Sequence, residues 1–172
     1  MGRRTLGLAV VAFGLLFGAS TLSAHGVRVG GQISFADDAD FGIGPRLGIE
    51  LPTIASGLWL VGSFDYFFPD QGLEGTSSAS NIDYWEFNAN LLYGIDLPDV
   101  TNLEPYFGAG LNLARSSITS DGSSESEGDS TLGLNLVAGL DFPLTSITPF
   151  VEIRLEVDGG DQFVVTGGLT FP

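Results

Sequence analysis

The sequence predicts an all-β chain: eight antiparallel strands, joined up-and-down and closed into a barrel. Two observations carry that prediction. After residue 24 apolar residues alternate with polar or glycine residues at period two in eight successive stretches, and no stretch holds a helical period. Gly and Phe are both unusually frequent, 25 and 13 of 172 residues. Small residues suit the inside of a narrow barrel, and aromatic residues gather at the strand ends.

Residues 1–24 stand apart. Arg3 and Arg4 precede an uninterrupted apolar run from Leu6 to Gly18, and small and polar residues then lead to Ala24. This is the layout of a secretory signal peptide, and the run is shorter than the roughly 20 residues of a spanning helix. The expected organisation is therefore a signal peptide over 1–24 and one barrel domain over 25–172.

The strands follow in order. The first, 27–35, sets Val27, Val29, Ile33 and Phe35 against Arg28, Gly30, Gln32 and Ser34. The second, 42–51, sets Ile43, Leu47, Ile49 and Leu51 against Gly44, Arg46, Gly48 and Glu50. In the third, 58–68, a weaker alternation sets Leu58, Leu60, Phe64, Tyr66 and Phe68 against Trp59, Val61, Ser63, Asp65 and Phe67. The fourth, 82–95, has Trp85, Phe87, Leu91 and Tyr93 against Glu86, Asn88 and Asn90. The fifth, 105–115, has Phe107, Leu111 and Leu113 against Gly108, Gly110 and Asn112. The sixth, 132–142, has Leu132, Leu134, Leu136 and Leu140 against Gly133, Asn135, Gly139 and Asp141. The seventh, 149–157, has Val151, Ile153, Leu155 and Val157 against Glu152, Arg154 and Glu156. The eighth, 162–171, has Phe163, Val165, Leu169 and Phe171 against Thr166, Gly168 and Thr170.

Parity alone does not say which face turns inward. Three features indicate that the apolar face meets lipid, making this a transmembrane β-barrel. The opposite face collects Arg28, Arg46, Glu50, Asp65, Glu86, Asp141, Glu152, Arg154 and Glu156. In a bilayer these charges must point into the lumen, because lipid does not solvate them. We expect an ion network there, with the three Arg pairing with Glu50, Glu86, Glu152 or Glu156 through their planar forks. Aromatic residues form two bands: Phe35, Phe41, Tyr66, Phe67, Phe68, Tyr84, Trp85 and Phe163 at one set of strand ends, Tyr93, Tyr106, Phe107, Phe142, Phe150 and Phe171 at the other. Bilayer interfaces favour such bands. The two longest connectors, 69–81 and 116–131, fall on one side, as short periplasmic turns and longer extracellular loops require. Their tracts GLEGTSSASN and SDGSSESEGDS are rich in Gly, Ser and acid and are expected to be mobile.

Charge and inventory exclude much else. Six basic residues, all Arg, stand against 21 acids, a formal charge of -15. Such a chain repels nucleic acid. With no Cys there is neither a disulfide nor a thiolate site. The single His25 lies at the expected cleavage junction, without a partner for catalysis or metal binding. Glu152 and Glu156 flank Arg154 on one strand face, a better arrangement for an ion network than for an acid–base pair. Asp37, Asp38 and Asp40, with Asp158 and Asp161, offer clustered carboxylates of the kind calcium takes, but no recognised loop supports a site, and solvated acidic turns are the simpler reading. No cofactor, metal or catalytic residue is expected.

On this patterning, the exported start and the aromatic finish, together with the stretch PYFGAGLNLA at 105–114, the chain resembles the small eight-stranded outer-membrane barrels, the group containing the OmpA transmembrane domain and OmpX. The resemblance spans 26–171. It implies residence among outer-membrane lipids and insertion by the barrel-assembly machinery, which looks for a C-terminal aromatic; here Phe171 is followed by Pro172. Some relatives add a peptidoglycan-binding module, for which no residues follow the eighth strand. A monomeric, non-enzymatic barrel with a structural or surface-interaction role is expected, any outside partner meeting connectors 69–81 and 116–131. The alternatives are a soluble exported barrel binding an apolar ligand, in the manner of a lipocalin, and a narrow channel.

Overall fold

The computed structural model describes residues 26–37, 39–68, 81–100, 102–119, 127–158 and 161–172. The signal-peptide assignment, His25, Asp38 and the central parts of connectors 69–81 and 116–131 lie outside the described residues.

Each period-two stretch forms a strand. They are β1 (Val27–Ala36), β2 (Asp40–Glu50), β3 (Leu58–Phe68), β4 (Asn81–Gly94), β5 (Glu104–Thr119), β6 (Glu127–Asp141), β7 (Thr148–Val157) and β8 (Phe163–Phe171). Every strand pairs antiparallel with its neighbours in sequence. β1 closes on β8, from Val29 opposite Phe171 to Ala36 opposite Val164. Closure leaves no sheet edge along the shared height of the barrel, so backbone groups there are paired within the protein, as a bilayer demands. β1 begins and β8 ends at the same rim, called here the terminal end; the other rim is the distal end.

Two strands are longer than the alternation foretold. β5 and β6 keep their ladder past Arg115 opposite Ser130 as far as Ile118 opposite Glu127. The connector between them is therefore 120–126 rather than 116–131. The physical reason is that Ser116 and Ser117 are both half-buried and Asp129 and Ser130 both exposed, so neighbouring positions meet similar surroundings. Backbone pairing continues, but no apolar alternation marks it in the sequence.

The burial pattern settles which face turns in. On β7, Phe150, Glu152, Arg154 and Glu156 are buried while Val151, Ile153, Leu155 and Val157 are exposed. Leu132, Leu136 and Phe35 are more than half exposed, whereas Arg154 has no exposed surface. A soluble lipocalin-like barrel has the reverse order, an apolar cavity inside and polar residues outside, so that alternative is overturned.

Gly44 shows how tightly the wall is drawn. A Cβ there would lie 1.5 Å from the Phe64 carbonyl oxygen of β3. The β2–β3 pairing skips this point, between Ile43 opposite Tyr66 and Arg46 opposite Ser63. Pro45, which has no N–H to give, occupies the gap.

Candidate functional site: the charged lumen

The alternation of β7 delivers Glu152, Arg154 and Glu156 to one line inside the barrel, and the other strands bring partners to them. Arg154 is the centre of the distal half. Its Nε donates to Glu156 Oε1 at 2.6 Å and its Nη2 to Glu86 Oε2 at 3.2 Å, while Asp65 Oδ2 lies 3.7 Å from Nη2. All four side chains are buried. Neutral donors surround the acids. Gln32 and Ser34 donate to Asp65 at 2.9 and 2.8 Å. Asn112 donates to Glu156 at 2.9 Å and Tyr84 to Glu86 at 2.5 Å. The Gln162 amide bridges Glu86 and Glu156.

A second cluster lies toward the terminal end. Arg46 Nη2 donates to Glu152 Oε2 at 2.6 Å, and the Tyr106 hydroxyl donates to the same oxygen at 2.9 Å. The Arg46 guanidinium also sits 4.3 Å from the centre of the Phe150 ring. Gln32 joins the clusters, accepting from Arg46 at 3.3 Å while donating to Asp65. At the terminal mouth Arg28 pairs with Asp141 at 2.8 Å and lies 4.2 Å from the Trp59 ring centre. Between the clusters Asn135 donates to both Asn88 and Asn90 at 2.9 Å.

A small apolar cluster lies toward each end, called here a plug. Ala36, Ala39, Phe67 and Val164, with Tyr84 against them, form the distal plug. Val61, Leu92, Tyr106 and Val137, with Trp59, form the terminal one. A small cavity of about 60 Å³ remains at the terminal mouth, among Arg28, Trp59, Tyr106, Asp141 and Phe150.

Of the nine charged residues expected in the lumen, eight take part in these pairs. Glu50 does not: it sits half-buried at the terminal end of β2, opposite Trp59 in register, and makes no ion pair among the described residues. Arg28 takes Asp141 instead of a Glu. Four expected belt aromatics, Phe67, Tyr84, Tyr106 and Phe150, prove to face inward as plug and network residues. Their signal was parity, since each shares the face of the charged residues. The neutral donors went unread because nothing local marks which Gln, Asn or Ser meets which acid across the barrel.

The distal acids close turns. Asp37 accepts the Phe163 N–H at 2.9 Å and Asp161 the Asp158 N–H at 3.0 Å. Asp158 and Asp161 hold positive φ, 64° and 50°, a conformation Asp tolerates in turns. Among the described residues no group of three His, Cys, Asp or Glu side chains is placed to hold a metal ion.

An apolar outer belt, a charged and plugged interior and a closed antiparallel wall together define a membrane-spanning β-barrel protein. Residues 8–167 match the outer membrane protein beta-barrel domain, and the chain belongs to that family of outer-membrane proteins. The fold is similar to that of neisserial surface protein A, at 17% identity and a TM-score of 0.59, covering 84% of this chain and 94% of that one. It is similar to the N-terminal β-barrel domain of Pseudomonas aeruginosa OprF, at 18% identity and a TM-score of 0.58, covering 84% and 95%. It also resembles the attachment invasion locus protein Ail of Yersinia pestis, solved with the heparin analogue sucrose octasulfate, at 18% identity and a TM-score of 0.51, covering 84% and 94%. No curated protein sequence matches it.

Proposed function

We propose that this protein is a non-enzymatic, monomeric outer-membrane barrel with a structural or surface-interaction role. The observation that carries this reading is the occupied lumen: buried ion pairs reach across it, and a small apolar cluster lies toward each end. Eight strands leave an interior that side chains just fill, which favours a structural role over a channel. The buried acids are held by Arg and neutral donors. The lumen network then acts as the internal scaffold of the barrel, and interaction belongs to the distal connectors.

Those connectors are acidic, with Asp70, Glu74, Asp121 and Glu125 and no Arg in 69–81 or 120–126. They favour cationic or divalent-bridged partners, in contact that weakens with salt. A sulfated sugar of the kind seen with Ail has the wrong sign for them. In this reading residues 1–24 are removed on export, the assembly machinery inserts the chain, and the distal end faces outward.

Protease added to intact cells should cut within 120–130 and leave the strands, and an unboiled sample should run differently from a boiled one on a gel. Cleavage only after the outer membrane is opened would reverse the orientation. Stepwise ion conductance of the purified protein in planar bilayers would replace the structural reading with a channel.

A further inference from the structure

The lumen takes three of the four Arg residues within the described chain. Arg115 is the exception. It shares the outward parity of Leu111 and Leu113, while Asn112 and Ala114 between them are buried. The register sets it in a row across four strands. Tyr66 of β3 faces Trp85 of β4, Trp85 faces Arg115 of β5, and Arg115 faces Ser130 of β6. The next outward row toward the terminal end is Phe64, Phe87, Leu113 and Leu132, entirely apolar and largely exposed. The next row toward the distal end brings Asp83 opposite Ser117. On this side of the barrel the change from apolar belt to polar surface therefore falls at the level of Arg115.

Arg115 makes no ion pair among the described residues. The nearest acids accept hydrogen bonds from other groups. Asp83 accepts the Tyr66 hydroxyl at 2.7 Å, and Asp129 accepts the Ser130 N–H at 2.9 Å. A long cationic side chain at this boundary can bury its stem against apolar surface and hold its head at the depth where lipid phosphates lie. A guanidinium fork matches a phosphate, and in a chain this acidic no other outward group among the described residues attracts an anion.

We propose that the Tyr66–Trp85–Arg115 row docks a phosphate-bearing lipid of the surrounding leaflet. Arg115 holds the headgroup phosphate, and the acyl chains lie over Phe87, Leu113 and Leu132. The inference rests on the membrane-spanning fold and is independent of what the connectors bind.

The test uses the full chain refolded in detergent micelles with dioleoyl phosphatidic acid or, lacking only the phosphate, dioleoylglycerol. Retained lipid is counted by native mass spectrometry. Wild type should retain the phosphatidic acid, Arg115→Gln should retain it about fivefold less, and Arg115→Lys should fall between. Dioleoylglycerol should not separate the variants. Unboiled gel mobility establishes separately that each variant has folded. Equal retention of phosphatidic acid by folded wild type and Arg115→Gln would overturn the proposal. So would inorganic phosphate binding that depends on Arg115 while lipid retention does not, which would assign the site to a free anion.

Discussion

Arg154 and Arg28 point into the same lumen but live in different media. Arg154 has no exposed surface and faces three carboxylates, those of Glu156, Glu86 and Asp65. Arg28 sits at the terminal mouth with its side chain 26% exposed and has Asp141 alone. Desolvation explains why one needs so many partners and the other so few. A buried charge that loses its partner loses everything that solvates it, whereas at the mouth water takes the partner's place. The distal cluster also holds more acids than one Arg neutralises. Gln32, Ser34, Tyr84, Asn112 and Gln162 supply the further donors that make those acids tolerable inside.

The largest effect should therefore come from Arg154→Met. The substitution keeps the bulk of the side chain and strands three carboxylates in a dry interior. Breaking a buried pair from one side costs about 3–5 kcal/mol. Urea unfolding in lipid vesicles should show that loss, with the unboiled mobility shift weakened or gone. A loss below about 1 kcal/mol would mean that water reaches the distal cluster, and the contrast with Arg28 would collapse.

Ile153→Arg asks the same question one residue away, on the opposite face. Ile153 is 47% exposed at mid-strand and its neighbour Arg154 is wholly enclosed. A charge at this height faces lipid and should cost about 2–4 kcal/mol. Asn135→Arg, set toward the lumen, is not comparable, because Asn135 is itself packed against Asn88 and Asn90. The better control is an Arg at Leu144, in the exposed terminal connector, where no measurable loss is expected. Equal tolerance at Ile153 and Leu144 would place both in water and remove the membrane from the explanation.

β7 shows why so much of this fold was legible. Its seven residues from Val151 to Val157 alternate without a fault, because each face meets one medium along its full length. Periodicity is a record of that medium, so strand identity and the lumen set could be read directly. The ends of β5 and β6 were not legible for the same reason, since Ser116, Ser117 and Asp129 meet similar surroundings on both faces. Pairing within the lumen was harder again. Parity brings Arg28 and Glu50 to one face, but it says nothing about height around a sheared barrel, and height decided for Asp141. Phe67 and Tyr84 were read by their position near a rim, which suggested the belt, although their parity already placed them inside.

The smallest effect separates the two Arg residues most clearly. Arg28→Gln removes a partly exposed ion pair and the contact with the Trp59 ring. Exposed pairs are worth about 0–1 kcal/mol and a cation over an aromatic face about 0.5–1 kcal/mol. The terms share one guanidinium and do not add in full, so a total loss near 1 kcal/mol is expected. Asp141→Asn should give a similar or smaller loss, because it leaves the Trp59 contact in place. Salt supplies the sharper criterion. At high ionic strength the Arg28–Asp141 attraction is screened, and part of the difference between wild type and Arg28→Gln should vanish. The Arg154→Met loss should stay nearly constant, because ions do not enter the plugged interior. A salt-insensitive loss of about 3 kcal/mol at Arg28 would show that the terminal mouth is as dry as the centre and that the plug around Trp59 and Tyr106 seals below it, not above.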